Sequence, residues 1–119
     1  MIFKKNRLIK KADFQRVISK GKNLPGNEIK IFWLENQLAY SRFGIVLARK
    51  VFPTAVLRNR CKRLIREAIR KNLPMLKTGF DVVVLVRENF FALSPKKDFF
   101  DQFLLPLFRK AGLLVESNV

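Results

Sequence analysis

The chain has 119 residues, about half of them apolar, with 25 Lys plus Arg against 9 Asp plus Glu, one cysteine and no histidine. That length fits one compact domain, 1–119, and no run approaches the ~18 apolar residues of a membrane span. Lone Cys61 and the lack of histidine exclude a disulfide framework, a Cys/His zinc site and a histidine general base, while a net charge of +16 exceeds what solubility requires and calls for a polyanionic partner.

Met1-Ile2-Phe3 gives way at once to Lys4, Lys5 and Arg7, with no n-region, h-region and cleavage site, so the cytosol is the expected compartment and residues 1–10 read as a basic N-terminal arm. Phe14, Val17 and Ile18 then fall at i, i+3 and i+4 before Gly21, predicting a short amphipathic helix. In the next segment Ile29, Ile31 and Trp33 alternate with Lys30, Phe32 and Leu34, a strand with apolar groups on both faces, one of which is a candidate binding surface. After a turn near Asn36 and Gln37, the run Arg42 to Ala48 predicts a second strand, most economically a hairpin partner of the first.

Phe52-Pro53 breaks that pattern, and Thr54 stands as N-cap of a long helix ending near Asn72-Leu73-Pro74. Gly79 releases the chain into Phe80 to Val86, β-branched and nearly continuous, as a buried strand requires. Ser94-Pro95 resembles an N-cap with Pro at N1 for a last helix through Lys110, with Phe99, Phe103 and Leu107 on one face, and 112–119 reads as a flexible tail. The architecture expected from these elements is an α+β sandwich.

The long helix carries the strongest functional signal. At 100° per residue, Leu57, Cys61, Leu64, Ile65 and Ala68 fall on one side and Asn59, Lys62, Arg63, Arg66 and Arg70 on the other. Cys61, with no base beside it, reads as a small core residue. An ordinary solvated face mixes signs, yet Glu67 is the only acid between Arg58 and Lys71, and the like charges Arg63/Arg66 and Arg66/Arg70 repel each other unless an anion joins them. Arginine rather than lysine suits bidentate phosphate contacts. A membrane surface fits less well, because the helix uses its apolar side in the core.

An arginine-rich helix can enter the major groove of DNA or lie against RNA phosphates, so charge alone does not choose. The sequence has no helix-turn-helix spacing, zinc ligands or heptads to support a DNA module, and strand aromatics suit stacking on unpaired bases. Most of the twelve Phe must be core, Phe14 and Phe32 being the ones exempted. Asp81, Asp98 and Asp101, the acids a metal-dependent protein nuclease would use, are scattered.

The stretch Ala55-Val56-Leu57-Arg58-Asn59-Arg60-Cys61-Lys62-Arg63-Leu64-Ile65-Arg66-Glu67-Ala68 resembles the signature helix of the bacterial ribonuclease P protein subunit. The likeness extends to Asn6-Arg7-Leu8, to Asp13-Phe14-Gln15-Arg16-Val17 with Gly21, and to Arg42-Phe43-Gly44-Ile45, and thins after Val86. It implies a single-domain α-β-β-β-α-β-α sandwich with a left-handed β-α-β crossover (ribosomal protein S5 domain 2-like), a central mixed sheet packed by helices. It also implies two partners, the catalytic RNA subunit of ribonuclease P and precursor tRNA. The implied reaction is RNA-catalysed removal of the 5′ leader, with Mg2+ bound mainly by the RNA and neither catalytic residues nor dedicated metal ligands in the protein.

By the same resemblance, contacts to the RNA subunit fall to Arg58, Asn59, Arg60, Lys62, Arg63, Arg66 and Arg70, with the paired Arg49 and Lys50. Leader contacts fall to Phe14, Arg16, Ile18 and Phe32, in a cleft between the first helix and the sheet. The sequence departs from the family where Ile18 replaces a frequent aromatic and where Phe52-Pro53 occupies a turn that usually contains Gly. The competing expectation is a structural RNA-binding protein that handles no substrate.

Overall fold

Three apolar segments with a two-residue period form the long strands of one sheet: Ile29–Glu35 (β2), Arg42–Leu47 (β3) and Phe80–Val86 (β4). Lys22–Leu24 adds a short strand, β1, and the helices are Lys11–Lys20 (α1), Ala55–Lys71 (α2) and Leu105–Ala111 (α3). The order is α-β-β-β-α-β-α, as the resemblance implied. These elements come from a computed structural model that describes residues 4–26, 29–48, 50–87 and 104–115. Arg49, the Ser94-Pro95 cap, Asp98, Asp101, Phe99, Phe103 and residues 116–119 lie outside the described residues.

The sheet order is β1-β2-β4-β3, with β1/β2 and β2/β4 antiparallel and β3/β4 parallel. This corrects the expected hairpin between β2 and β3, since β4 is inserted between them. The reason lies in the composition of β4. Val82, Val83, Val84 and Val86 are each no more than 2% exposed, and a strand apolar on both faces gains most from the central position. The hairpin partner of β2 is instead β1, with Lys22 opposite Trp33.

Strand register sorts the side chains onto two faces. Ile31, Ile45 and Val84 lie on the first, against Cys61, Ile65 and Ile69 of α2 and Phe108 of α3. Each fully buried isoleucine there contributes roughly 2 kcal/mol of transfer free energy. Thr54 caps α2 as expected, its hydroxyl oxygen accepting from the Leu57 amide at 3.2 Å. On the second face Leu8, Val17, Phe32 and Val83 form a smaller cluster under α1, with Phe14 packed against it. Gly44 makes that packing possible. A Cβ there would stand 2.3 Å from Phe14 Cε1, so the ring rests directly on the β3 backbone.

The N-terminal arm is docked on the edge strand. The Leu8 amide donates to the Phe43 carbonyl at 2.9 Å, Arg7 bridges Phe43, and buried Asn6 Nδ2 donates to the Ser41 carbonyl at 2.8 Å. The far end of the chain also departs from expectation. Gly112, at φ 76°, forms the left-handed cap of α3, after which Leu113 is buried and Leu114 bridges Leu76. Residues 112–115 therefore belong to the packed structure rather than to a flexible tail.

Candidate nucleic-acid interface

The apolar side of α2 is seated on the sheet through Cys61, Ile65 and Ile69, which turns Asn59, Lys62, Arg63 and Arg66 outward. These four line a hollow of about 230 Å³ together with Glu67 and, from the docked arm, Arg7. Arg66 has its pKa lowered by partial burial and by the charge of Arg7. An anion placed in the hollow would offset both effects.

The other residues assigned to the RNA subunit are placed differently. Arg58 Nη1 donates to the Phe52 carbonyl at 2.9 Å, fixing the entry of α2 to the turn before it. Arg70 pairs with Glu67 at 2.6 Å and holds its carboxyl down to about 2. Arg60 and Lys50 are exposed and lie outside the lining of the hollow. The structure thus gathers Asn59, Lys62, Arg63 and Arg66 into one surface and engages Arg58 and Arg70 in intramolecular bonds.

On the opposite face of the sheet, α1 packs over β2 and β4 through Val17. Ile18 is exposed and Phe14 half-buried, and the face runs on to Lys30, Val46 and Leu85, all half-buried. Phe32 is only 8% exposed and belongs to the cluster beneath α1, with Lys30 Nζ 5.0 Å from its ring centroid. This corrects its exemption from the core. Phe32 sits beneath α1, packed with Val17 and Val83. A second hollow, along the β3 edge, is lined by Lys62 and Arg66 of α2, Phe14 of α1 and Gly44 of β3, and Arg7 lines this one as well.

Arg16 has a structural task. Its Nη2 donates to Asp81 Oδ2 at 3.0 Å, and Nη1 lies 3.3 Å from Asp13. Asp81, 1% exposed, also accepts from Arg42 at 2.8 and 2.7 Å and from Asn36 at 2.9 Å. Burial alone would raise its pKa. The donated bonds from Arg42, Asn36 and Arg16 outweigh that and lower it. Asp81 is therefore an internal counter-ion tying α1 and β3 to β4, and its oxygens are taken up by protein donors.

Among the described residues, no group of three or more His, Cys, Asp and Glu could hold a metal, and no helix is long and apolar enough to cross a membrane. Burial pushes the Cys61 thiol up to about 11, consistent with its place in the core.

Residue-level reading missed Arg7 and the role of Asp81. The signal for Arg7 was its place in Asn6-Arg7-Leu8. For Asp81 it was an acid inside an otherwise apolar strand, a position that calls for a counter-ion.

The class defined by this geometry is a basic α+β domain with a cationic helix face and, across the sheet, a face that presents half-buried Phe14 and exposed Ile18. A family model described as Ribonuclease P matches residues 2–112. The ribonuclease P protein component of Fusobacterium nucleatum is 39% identical over 85 residues, covering 71% of this chain and 76% of its own. That of Alkaliphilus metalliredigens is 35% identical over 109 residues, covering 92% and 96%. A solved structure of the ribonuclease P protein from Thermotoga maritima superposes with a TM-score of 0.77 at 32% identity, covering 93% of this chain and 98% of that one. The chain belongs to the ribonuclease P protein family.

Proposed function

We propose that the chain is the protein subunit of a cytoplasmic bacterial ribonuclease P. It binds the catalytic RNA through the outward face of α2 and the single-stranded 5′ leader of precursor tRNA in the cleft beside α1. The observation that carries this reading is the set of cations on α2, which outnumber the single acid there, Glu67, and are held rigid by the apolar seat of the helix. Such a surface repels a divalent cation and attracts phosphate, so a Mg2+ of the reaction would be held by the RNA rather than by this face and would supply Lewis-acid chemistry there. The protein's own part is to position the substrate.

Only the precursor has a leader, so contacts in the cleft lower the free energy of the precursor complex and leave that of mature tRNA unchanged. Half-buried Phe14 and exposed Ile18 offer apolar surface to a base, over a floor of Phe32 and beside the ammonium of Lys30. Arg16, bound to Asp81, keeps its side chain 42% exposed for a phosphate.

The test is cleavage of a precursor tRNA by a bacterial ribonuclease P RNA at low magnesium, with and without the protein. Stimulation is expected. Its absence with every cognate RNA would leave a structural RNA-binding protein as the better reading. Leader handling is tested separately with Phe14→Ala combined with Ile18→Ala, which keeps buried Phe32 in place and removes only the ring at the edge of its cluster. Loss of about 1–3 kcal/mol per stacked base predicts at least a fivefold fall in affinity for precursor, with mature tRNA unaffected. Equal weakening of both would remove the cleft from the mechanism.

A further inference from the structure

We infer that Arg7 of the docked arm, with Arg66 and Lys62 of α2, forms a notch that grips one backbone phosphate of RNA. The inference rests on the RNA-binding reading above and adds to it a residue from outside the signature helix.

Three observations carry it. First, Arg7 Nε is shielded from solvent and has no hydrogen-bond partner among the described residues. A buried donor left unpaired costs roughly 1–3 kcal/mol, so its place in the folded chain needs a reason. Second, Arg7 faces cations: it shares its hollow with Lys62, Arg63 and Arg66, and the one carboxylate there, Glu67, is bonded to Arg70. Third, both sides of the notch are fixed. The Arg7 backbone is held on β3 by its bridge to Phe43 and by the bond from the Leu8 amide, and Arg66 stands on a helix anchored by Ile65 and Ile69.

Like charges held together by rigid supports are preorganised for an anion, and guanidinium forks match the oxygens of a phosphodiester. Arg7 also lines the hollow that includes Phe14, so the notch stands between the helix face and α1. A phosphate from either the catalytic RNA or the precursor leader has the required chemistry.

Arg7→Met tests the notch, since it keeps length and apolar packing while removing the donors and the charge. A structural role for Arg7 predicts a lower melting temperature. The notch predicts an unchanged or raised one, because repulsion with Arg66 is relieved. Loss of one phosphate contact should weaken RNA binding about tenfold and reduce the slope of log affinity against log salt by about 1.

A loss seen with the isolated catalytic RNA assigns the phosphate to that RNA. A loss confined to the holoenzyme's preference for precursor over mature tRNA assigns it to the leader. Unchanged affinity in both assays overturns the notch. Should Arg7→Met fold poorly, Arg7→Lys decides: weaker binding at an unchanged salt slope supports the guanidinium fork, and unchanged binding overturns it. Failure of the underlying RNA-binding reading would look different, because wild-type protein would then not bind either RNA.

Discussion

Replacing Arg63 and Arg66 together by Ala should weaken binding to the catalytic RNA about 100-fold, since charge-assisted bonds to phosphate contribute roughly 1.5–3 kcal/mol each. The salt slope should also fall by about 2, one for each phosphate no longer neutralised. Stability should move little or improve, because the two arginines are an i,i+3 like-charge pair on the outward side of a helix whose seat is untouched. Titrations of labelled RNA at several salt concentrations, with melting curves of the free proteins, measure both quantities. Full affinity retained by the double variant would remove this face of α2 from the interface.

The second large effect is on the fold itself. Asp81→Ala should destabilise the protein by about 3 kcal/mol, because removing the buried partner of an ion-pair network leaves Arg16 and Arg42 with only Asp13, at 3.3 and 3.5 Å, as counter-ion. Arg42 and Arg16 both lose their buried acceptor, and with Arg16 goes a tie between α1 and β4. Urea denaturation would measure the loss. A change below 1 kcal/mol would show that the network adds little.

The same group sets a pH dependence. The folded pKa of Asp81 lies below its unfolded value, so its contribution is present above the ordinary carboxylate pKa near ~4 and is lost as pH falls through the depressed folded value. Wild-type stability should therefore drop on acidification below about pH 4 more steeply than that of Asp81→Asn, which has no carboxylate to titrate.

Periodicity made much of this readable from the residues alone. Thr54 followed by apolar residues at helical spacing gave both the start of α2 and the direction of its cationic side, because capping and amphipathicity are local properties. Strand order was not legible. The β2 and β3 segments are adjacent in the chain and both suit a hairpin, and only the extra burial of Val82, Val83, Val84 and Val86 decides that β4 separates them. The face under α1 was legible only in part. Phe14 and Phe32 look alike as single aromatics, yet the alternation of β2 sends Phe32 into the cluster with Val17 and Val83 while Phe14 stays at the rim. Pairs such as Arg16 with Asp81, or Arg7 with Arg66, join residues distant in sequence, and spacing does not record that kind of proximity.

The central place of β4 also governs the order in which this molecule can be assembled. Both β2 and β3 find their principal partner in the last strand of the sheet, so during synthesis β2 is paired only with short β1, and β3 with no strand, until residues 80–86 have left the ribosome. The arginine-rich helix is made before its seat is complete. A nascent chain stopped before Phe80 would carry two open apolar edges beside a dense positive charge, a combination prone to aggregation or to premature capture by RNA. Completion of the sheet turns that same helix into a fixed, outward-facing surface.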